Sequence, residues 1–261
     1  MTPSGPLLLA GGGHSHALLL KRWAMTPQLR PKRGVVLVNR HPTALYSGMV
    51  PGLIAGIYRP DELSLNLPHL CDRAGVAFVQ AEILGVDSQR QHLLLHERPS
   101  LRFGVLSLDV GAVTRNADDL PGVPIKPLET ALQFLSQQDP HDPEPFRIVG
   151  AGPAGIEVAL ALRRRWPHRA LELQARTGQL NATTRAILHR AQIQCVTDPS
   201  DQPTLLCTGS RAPSWLAESG FAVDHDGRVL TNPFLQLEGS PHMFASGDCA
   251  VMASQPRPAS G

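Results

Sequence analysis

Two glycine-rich loops are the parts of this chain whose residue types and spacing could do chemistry. The first spans Gly11 to His16, and the second spans Gly150 to Gly155. Each follows a short apolar run typical of a buried strand and precedes a helical pattern, which is the context of a dinucleotide-binding loop. Glycine lets the backbone approach a pyrophosphate, and the helix N-terminus favours its charge. Two such loops predict two dinucleotides, one passing electrons to the other.

The two loops differ in how closely they follow the Gly-x-Gly-x-x-Gly pattern. The second loop matches it at all three positions, whereas His16 stands at the third glycine of the first loop. His14 and His16 have two open interpretations: contact with the dinucleotide, or an imidazole bonded to backbone. For both loops, an ordinary strand-to-helix turn is the alternative.

The residues after the next strand of each unit would meet the ribose. Asn39 and Arg40 follow the first such strand, and Asn39 can hydrogen-bond a hydroxyl without the charge of a carboxylate. Ala175 and Arg176 follow the second. Arg176 would favour a 2′-phosphate, and hence NADPH, while an exposed arginine with no ligand is the alternative.

Composition limits the function classes. The 261 residues are 42% hydrophobic and 18% charged, which fits one large or two modest globular domains. A net charge of +2 provides no field for nucleic acid. The four cysteines lack metal or paired redox spacing, and the N-terminus lacks a signal-peptide pattern. We therefore predict a cytoplasmic protein with no metal site, and peripheral contact with a membrane stays open.

The apolar patterning predicts the elements that position the loops. Each loop lies in a βαβ unit, so we predict an α/β fold of two Rossmann-like dinucleotide-binding domains, the second one shortened. A Pro-rich linker at 139–145 leads into the second unit. The predicted strands are 7–10, 35–38, 76–86, 92–96, 101–109, 146–149, 170–174, 193–196, 204–207 and 243–245; the helices are 15–25, 60–74, 127–137, 154–165 and 183–191; residues 46–52 form a loop.

The order of the motifs resembles the FAD-dependent pyridine nucleotide-disulfide oxidoreductase superfamily. Gly-Gly-Gly-His-Ser-His together with Tyr-Ser-Gly-Met-x-Pro-Gly is most similar to its type II NADH dehydrogenase-like branch, in particular the oxidoreductase module fused ahead of selenide, water dikinase. The remaining motifs that carry the resemblance are Leu108-Asp109-Val110-Gly111, the second glycine-rich loop, Thr208-Gly209-Ser210-Arg211-Ala212-Pro213 and Gly247-Asp248-Cys249-Ala250.

The resemblance implies roles for individual residues. FAD would occupy the N-terminal domain, and NAD(P)H would occupy the second. The FAD pyrophosphate would be lined by Gly11, Gly13 and His14, its adenosine end by Asn39 and Arg40, the flavin by Ser47, Gly48 and Pro51, and the ribityl or pyrophosphate by Gly247 and Asp248. The nicotinamide-dinucleotide site would be formed by Gly150, Gly152, Pro153, Ala154, Gly155, Thr208 and Gly209.

Three departures from the family accompany these expectations. Cys71 has no paired redox cysteine, so hydride would pass directly from nicotinamide to flavin. Only 58 positions separate Gly150 from Thr208, so the family's meander there is mostly missing. The family's C-terminal interface domain is expected to be absent, as in a fragment or truncated product. We predict an FAD-binding domain at 1–125 plus 235–261 and a shortened NAD(P)H-binding domain at 126–234.

The resemblance implies an FAD-dependent NAD(P)H oxidoreductase that passes electrons to a quinone or a small acceptor such as a selenium or sulfur species. A link to selenophosphate synthesis and a selenide, water dikinase domain or partner follow from the same motifs. No catalytic residue is assigned, because the flavin carries the chemistry. The alternatives are a degenerate FAD-binding or regulatory module without turnover, and a structural remnant that binds no flavin.

Overall fold

The structure, a computed structural model, describes residues 4–198 and 204–257 and divides the chain into two compact units. The first unit comprises residues 1–46, 64–112 and 211–261, and the second comprises 47–63 and 113–210. Both are of the mixed α/β class, as predicted. The chain passes from one unit to the other four times, so neither unit is a continuous stretch of sequence.

The elements are numbered in chain order. Short 3-10 helices lie at Pro27–Leu29, Ser47–Met49 and Gly247–Cys249. The α-helices are α1 (His14–Met25), α2 (Val50–Ile54), α3 (Pro60–Leu63), α4 (Leu67–Ala74), α5 (Leu128–Ser136), α6 (Pro153–Arg165), α7 (Ala182–Arg190) and α8 (Trp215–Glu218). The strands are β1 (Leu7–Ala10), β2 (Val35–Asn39), β3 (Thr43–Leu45), β4 (Ser64–Asn66), β5 (Ala77–Gln80), β6 (Ile83–Asp87), β7 (His92–Leu95), β8 (Arg98–Arg102), β9 (Val105–Leu108), β10 (Val113–Thr114), β11 (Val123–Pro124), β12 (Phe146–Val149), β13 (Leu171–Gln174), β14 (Ile193–Val196), β15 (Thr204–Leu206), β16 (Ser210–Arg211), β17 (Val229–Thr231), β18 (Gln236–Leu237), β19 (Ser240–Ala245) and β20 (Ala250–Met252).

The first unit is built on a sheet that, among the described residues, has eight strands in the order β20-β17-β18-β19-β9-β1-β2-β5. The five consecutive strands β19, β9, β1, β2 and β5 run parallel, so their carboxyl ends share one edge of the sheet. Strands β6, β7 and β8 form an antiparallel meander, and β3 pairs with β4. Buried aliphatic residues such as Leu9, Leu37 and Leu106 cover the two faces of the large sheet.

The second unit has its own parallel sheet, which in the described part of the chain has five strands in the order β11-β15-β12-β13-β14. Near-continuous apolar strands such as β12 suit a parallel sheet buried on both faces. Phe146, Ile148 and Leu173 are fully buried in its core, with Leu162 from α6. Strands β12 and β15 are neighbours, so the second glycine-rich loop begins beside the end of β15.

Two predicted segments fold differently from expectation. The predicted helix 60–74 is interrupted by β4, because Asn66 pairs with Thr43 and then caps α4 by accepting from the His69 amide at 2.9 Å. Pro68 in the first turn of α4 also cannot continue an earlier helix. The predicted loop 46–52 contains a 3-10 helix and the start of α2, with Pro51 at a position that a helix N-terminus tolerates.

Two predicted strands are each divided between sheets. Residues 76–86 form β5, which extends the large sheet, and β6, which belongs to the meander. Residues 101–109 contain the end of β8 and all of β9, separated at Phe103 and Gly104. The remaining predicted elements are confirmed, with ends that differ by a few residues.

The compact units group the chain differently from the predicted domain boundaries. Residues 47–63 and 113–125 belong to the second unit, while 211–234 belongs to the first. Pairing explains part of this arrangement, because β17 joins the large sheet of the first unit beside β20 and β11 joins the second sheet beside β15. Which dinucleotide each unit binds stays a prediction.

Candidate dinucleotide sites

The two glycine-rich loops have nearly the same backbone. Gly11 and Gly150, which open them, have positive φ values of 92° and 106°. Gly13 and Gly152 precede the helices α1 and α6, with φ and ψ of −66° and 176° in the first and −76° and 178° in the second. The equivalence extends to the neighbouring strands, because a Cβ on Gly11 or Gly150 would lie 2.3 Å from the carbonyl oxygen of Asp109 or Cys207, respectively. Only glycine fits at these two close approaches.

His16 replaces the third glycine and is almost completely buried. Burial lowers the pKa of His16, although Asp109 and the Gly11 carbonyl act to raise it, so the imidazole is held neutral. Its Nδ1 then donates to the Gly11 carbonyl at 2.7 Å, and its Nε2 accepts from the Ser107 hydroxyl at 2.8 Å. His16 therefore has the backbone-bonded role, whereas the side chain of His14 is exposed and its ring lies 5.1 Å from the Tyr46 ring.

The carboxylate of Asp109 lies at the N-terminus of α1. Its Oδ2 accepts from the His16 amide at 3.1 Å, and a Cβ on Gly13 would lie 2.3 Å from the carboxyl group. Burial raises the pKa of Asp109, while His16, the Ser15 amide and His14 act to lower it. The helix N-terminus is the position that favours an anion, so Asp109 takes part of the site that a phosphate would use.

The ribose candidates of the first unit are engaged with the protein. Asn39 Oδ1 accepts from the Gly12 amide at 2.8 Å, and Asn39 Nδ2 donates to the His41 carbonyl at 2.8 Å. Arg40 forms an exposed ion pair with Glu82. Asn39 therefore holds the glycine-rich loop against the end of β2, and a ribose contact by either residue stays a prediction.

The Gly-Asp motif lies beside the same cluster. Gly247, with a positive φ of 71°, approaches Asp109 so closely that a Cβ would lie 2.5 Å from its Oδ1. Asp248 follows in the 3-10 helix. Cys249 is fully buried, and burial raises the pKa of its thiol to about 12. Cys249 is therefore a protonated packing residue rather than a reactive thiol.

The second loop has open space at Gly152, whereas the Asp109 carboxyl occupies the corresponding space at Gly13 of the first loop. A Cβ on Gly152 would meet no atom within 4 Å, whereas one on Gly155 would lie 1.8 Å from the Gly150 carbonyl oxygen. Gly155 thus allows the close helix–strand packing of the Gly-x-Gly-x-x-Gly pattern. Pro153 and Ala154 form the first turn of α6. Both residues are exposed and Gly152 has open space beside it, which suits a phosphate at the N-terminus of α6.

Thr208 and Gly209 follow β15 next to this loop. The Thr208 hydroxyl donates to the Arg115 carbonyl, and the Arg115 amide donates to the Gly209 carbonyl at 2.9 Å. These bonds fix the Thr-Gly turn at the carboxyl edge of the second sheet. The structure therefore brings the predicted nicotinamide-dinucleotide residues together within one unit.

The predicted flavin-contacting residues belong to the second unit. Ser47 and Gly48 lie in the 3-10 helix, and Pro51 lies in α2, whose Val50 and Ile54 pack into the second unit's core. The other predicted FAD residues lie in the first unit. Contact of Ser47, Gly48 and Pro51 with a flavin stays a prediction.

Asp109 and Ser107 were missed by the sequence reasoning as site residues. A signal for Asp109 was present, because Leu108-Asp109-Val110-Gly111 corresponds in position to Leu206-Cys207-Thr208-Gly209 of the second unit. An acidic residue where the other unit has a cysteine marks a polar group at the carboxyl end of a buried strand. Ser107 carries no such signal, since its importance comes only from the contact with His16.

Comparisons with known proteins give relatives over nearly the whole chain, although no family model matches it. Demethylphylloquinone reductase NdbB of Synechocystis is 26% identical over 96% of this chain and 73% of its own length. Ferroptosis suppressor protein 1 of Taeniopygia guttata is 23% identical over 92% of this chain and 71% of its own length.

Solved structures share the fold. An engineered water-forming NADPH oxidase bound to NADPH superposes with a TM-score of 0.79 at 17% identity, covering 94% of this chain and 62% of its own. Its parent, the NADH oxidase of Lactobacillus brevis bound to NADH, gives 0.77 at 17% identity, covering 95% and 63%. The chain thus spans less than two thirds of these solved chains. Its fold is the Rossmann-type fold of FAD- and NAD(P)-binding oxidoreductases.

Proposed function

We propose that the chain is an FAD-dependent NAD(P)H oxidoreductase. The observation that carries the proposal is the presence of two loops with nearly the same backbone, each at the carboxyl ends of parallel strands in its own sheet. Two relatives support it, a quinone reductase and an NADH dehydrogenase-like protein of Bacillus subtilis. When bound, FAD would supply the redox chemistry that links a nicotinamide donor to an electron acceptor.

The second unit would hold NAD(P)H. The open space at Gly152 and the exposure of Pro153 and Ala154 suit a pyrophosphate, and this loop is the better fit of the two. Gly150 and Gly155 would keep the backbone close enough for its amides to bind the phosphates. Pro153, Ala154 and the Thr208-Gly209 turn would line the same site, since they border the loop.

The first unit would hold FAD, and the charge of Asp109 would affect how its pyrophosphate binds. Gly11, Gly13 and His14 would line the pyrophosphate, and Gly247 and Asp248 would approach from the neighbouring segment. Burial already favours the neutral form of Asp109, and an incoming phosphate would favour it further because two anions would otherwise share one helix N-terminus. His16 would keep the loop in place by holding the Gly11 carbonyl.

We also propose a quinone as the electron acceptor, because a relative matched over 96% of the chain is named as a quinone reductase. A selenium or sulfur acceptor, and a link to selenide, water dikinase, rest only on the His-Ser-His and Tyr-Ser-Gly-Met motifs. Among the described residues, no helix is long and apolar enough to cross a membrane. We also propose that the protein is located in the cytoplasm and contacts a membrane peripherally.

The visible absorption spectrum of the purified chain tests the proposal. We expect flavin bands that bleach when NADH or NADPH is added anaerobically and return when a soluble quinone follows. If the bands bleach but only a selenium or sulfur compound restores them, the quinone proposal is wrong. If no flavin binds even after FAD is added, the oxidoreductase proposal is wrong for this chain.

A second candidate function, a dinucleotide-binding module without turnover, is favoured by one observation. The carboxylate at the N-terminus of α1 opposes the binding of a diphosphate in the first unit. Binding of NADP⁺ or NAD⁺ by a protein that takes up no FAD would support this candidate and contradict the first.

Replacing Asp109 by Asn tests whether its charge opposes FAD. We expect Asp109→Asn to bind FAD about ten-fold more tightly, as measured by fluorescence titration, because asparagine need not take up a proton to share the helix N-terminus with a phosphate. The matched control is Asp72→Asn on the exposed face of α4, which should leave FAD affinity unchanged. Weaker FAD binding in Asp109→Asn would show instead that the carboxylate supports the site.

A further inference from the structure

Arg176 lies at the edge of the second sheet where a bound dinucleotide would place its adenosine ribose. Strand β13 is the parallel neighbour of β12, so the turn after β13 and the second glycine-rich loop share the carboxyl edge. Arg176 follows Gly155 by 21 positions, the distance at which dinucleotide-binding units place the residue that reads the ribose 2′ position.

The turn that carries Arg176 is fixed by its own hydrogen bonds. The Gln179 amide donates to the Arg176 carbonyl at 3.0 Å, and the Arg176 amide donates to Gln179 Oε1 at 3.0 Å. The side chain of Arg176 is exposed, and within residues 4–198 and 204–257 its guanidinium has no hydrogen-bond or ion-pair partner. The turn thus presents the positively charged guanidinium of Arg176, whose N–H groups are available to bind a ligand.

The carboxylate that would select a free ribose hydroxyl is missing from this turn. Residues 174–180 contain no Asp or Glu, and Ala175, at the end of β13, is buried. The nearest acidic side chain on the strand, Glu172, is bound by Arg147 at 2.6 and 2.9 Å. A guanidinium without a competing carboxylate favours a 2′-phosphate, to which it can donate two parallel hydrogen bonds.

Two of the similar solved structures, one bound to NADPH and its parent bound to NADH, differ at residues of the same types. The substitutions that distinguish the engineered NADPH oxidase from its NADH-binding parent include an aspartate replaced by alanine and, at the next position, an alanine replaced by arginine. This chain has alanine and then arginine at Ala175 and Arg176.

We propose that the second unit selects NADPH over NADH and that Arg176 is the residue that determines this specificity. The proposal rests on the proposed function, because it assigns the 2′ subsite of the same dinucleotide site. A 2′-phosphate would bind the Arg176 guanidinium, and the ordered turn between Arg176 and Gln179 would present it.

The test compares Arg176→Gln with Arg165→Gln, a control that removes an exposed arginine from the last turn of α6. Stopped-flow reduction of the bound flavin under anaerobic conditions gives a second-order rate constant for each cofactor. We expect Arg176→Gln to lower the constant for NADPH about ten- to a hundred-fold and to leave that for NADH within about two-fold. Arg165→Gln should change neither.

Calorimetric binding of NADP⁺ and NAD⁺ to the same three proteins separates this inference from the proposed function. Preferential binding of NADP⁺ that is lost in Arg176→Gln supports the inference even if the flavin is not reduced, an outcome that would sink only the oxidoreductase proposal. Flavin reduction by both cofactors at equal rates, with equal binding of NADP⁺ and NAD⁺, would overturn the inference and leave the function standing. A preference for NADPH unchanged in Arg176→Gln would overturn the role of Arg176.

Discussion

At the scale of single residues, two buried side chains distinguish the first loop from the second. His16 and Asp109 both have ionisable groups inside the first unit, where an uncompensated charge is costly. Each is compensated, since the neutral His16 ring bonds Gly11 and Ser107 and the Asp109 carboxyl accepts an α1 amide. The first loop has the Rossmann backbone although His16 stands at the position of the third glycine.

Asp224 gives a prediction for the pH dependence of stability. Burial acts to raise the pKa of Asp224, but the Arg228 side chain at 2.7 and 2.8 Å and the amides of Arg228 and Asp226 lower it overall. A lowered pKa means that the stabilisation is present above pH 3.8, the ordinary value, and is lost as the pH falls through the lower folded-state value.

We therefore expect Asp224→Asn to lower the free energy of unfolding at pH 7 by about 1 to 3 kcal/mol. The difference from the unmodified protein should shrink as the pH falls below 3.8, because Asp224 is protonated first in the unfolded chain and then, at its lower pKa, in the folded protein. Urea unfolding at several pH values measures both, with the exposed Asp72→Asn as control. A difference that is constant with pH would contradict the ionic origin.

The cysteines give a prediction for chemical reactivity. Burial raises the pKa of Cys71 to about 11 and of Cys207 to about 12, so both thiols stay protonated at neutral pH. Cys195 is exposed on β14. We expect iodoacetamide at pH 8 to modify Cys195 first, with Cys71, Cys207 and Cys249 modified only after unfolding, as mass spectrometry of peptides would show. Early labelling of Cys71 would contradict its burial.

At the scale of elements, two glycines of the second loop should affect different properties. Gly155 should affect the stability of the fold, and Gly152 should affect dinucleotide binding. A Cβ at Gly155 would meet the Gly150 carbonyl at 1.8 Å, so Gly155→Ala must push α6 away from β12. We expect Gly155→Ala to lower the free energy of unfolding by about 1 to 3 kcal/mol. The space around Gly152 is open and its φ is negative, so Gly152→Ala should change stability by less than about 0.5 kcal/mol and weaken dinucleotide binding.

Urea unfolding and titration with NADP⁺ distinguish the two variants. Equal losses of stability in Gly155→Ala and Gly152→Ala would show that the loop has no open face at Gly152. Full NADP⁺ affinity in Gly152→Ala would place the phosphate elsewhere.

The elements that could be predicted from sequence are those governed by local patterning. The βαβ units follow from apolar runs flanked by glycine, and the structure confirms both. The division of 60–74 by β4 could not be predicted, because it depends on pairing with Thr43–Leu45, which is distant in sequence. The same limit applies to Asp109, whose proximity to Gly13 and Gly247 arises from three separate segments. Local patterns located the loops but not the side chains that fill the first one.

At the scale of the whole molecule, the two units interleave along the chain. Sequence patterning predicted two domains, and the linker at 139–145 was expected to lead into the second. The first half of this segment is held within that unit, since buried Arg169 donates to the Asp139 carbonyl at 2.8 Å and to Asp142 at 3.2 Å. The Arg169 guanidinium also lies 5.3 Å from the centre of the Phe146 ring. Arg169 therefore attaches this segment to the second unit.

The interleaving sets an order for folding during synthesis. All of the second unit has been translated once the ribosome passes residue 210, whereas the first unit lacks β17 to β20 until the segment after residue 210 emerges. In particular, β9 must wait for β19, whose Met243 pairs with Leu106 from 137 positions earlier. Until then β9 has one unpaired edge that could bind another chain.

Ribosome-bound chains arrested just after residue 210 has left the exit tunnel would reveal this order. We expect the second unit to resist a brief protease treatment while segments of the first unit are cut, and both to resist once residues 211–257 have emerged. Protection of the first unit in the shorter arrested chain would show that its sheet forms without β19. Residues 211–257 thus determine when the first glycine-rich loop acquires its complete surroundings.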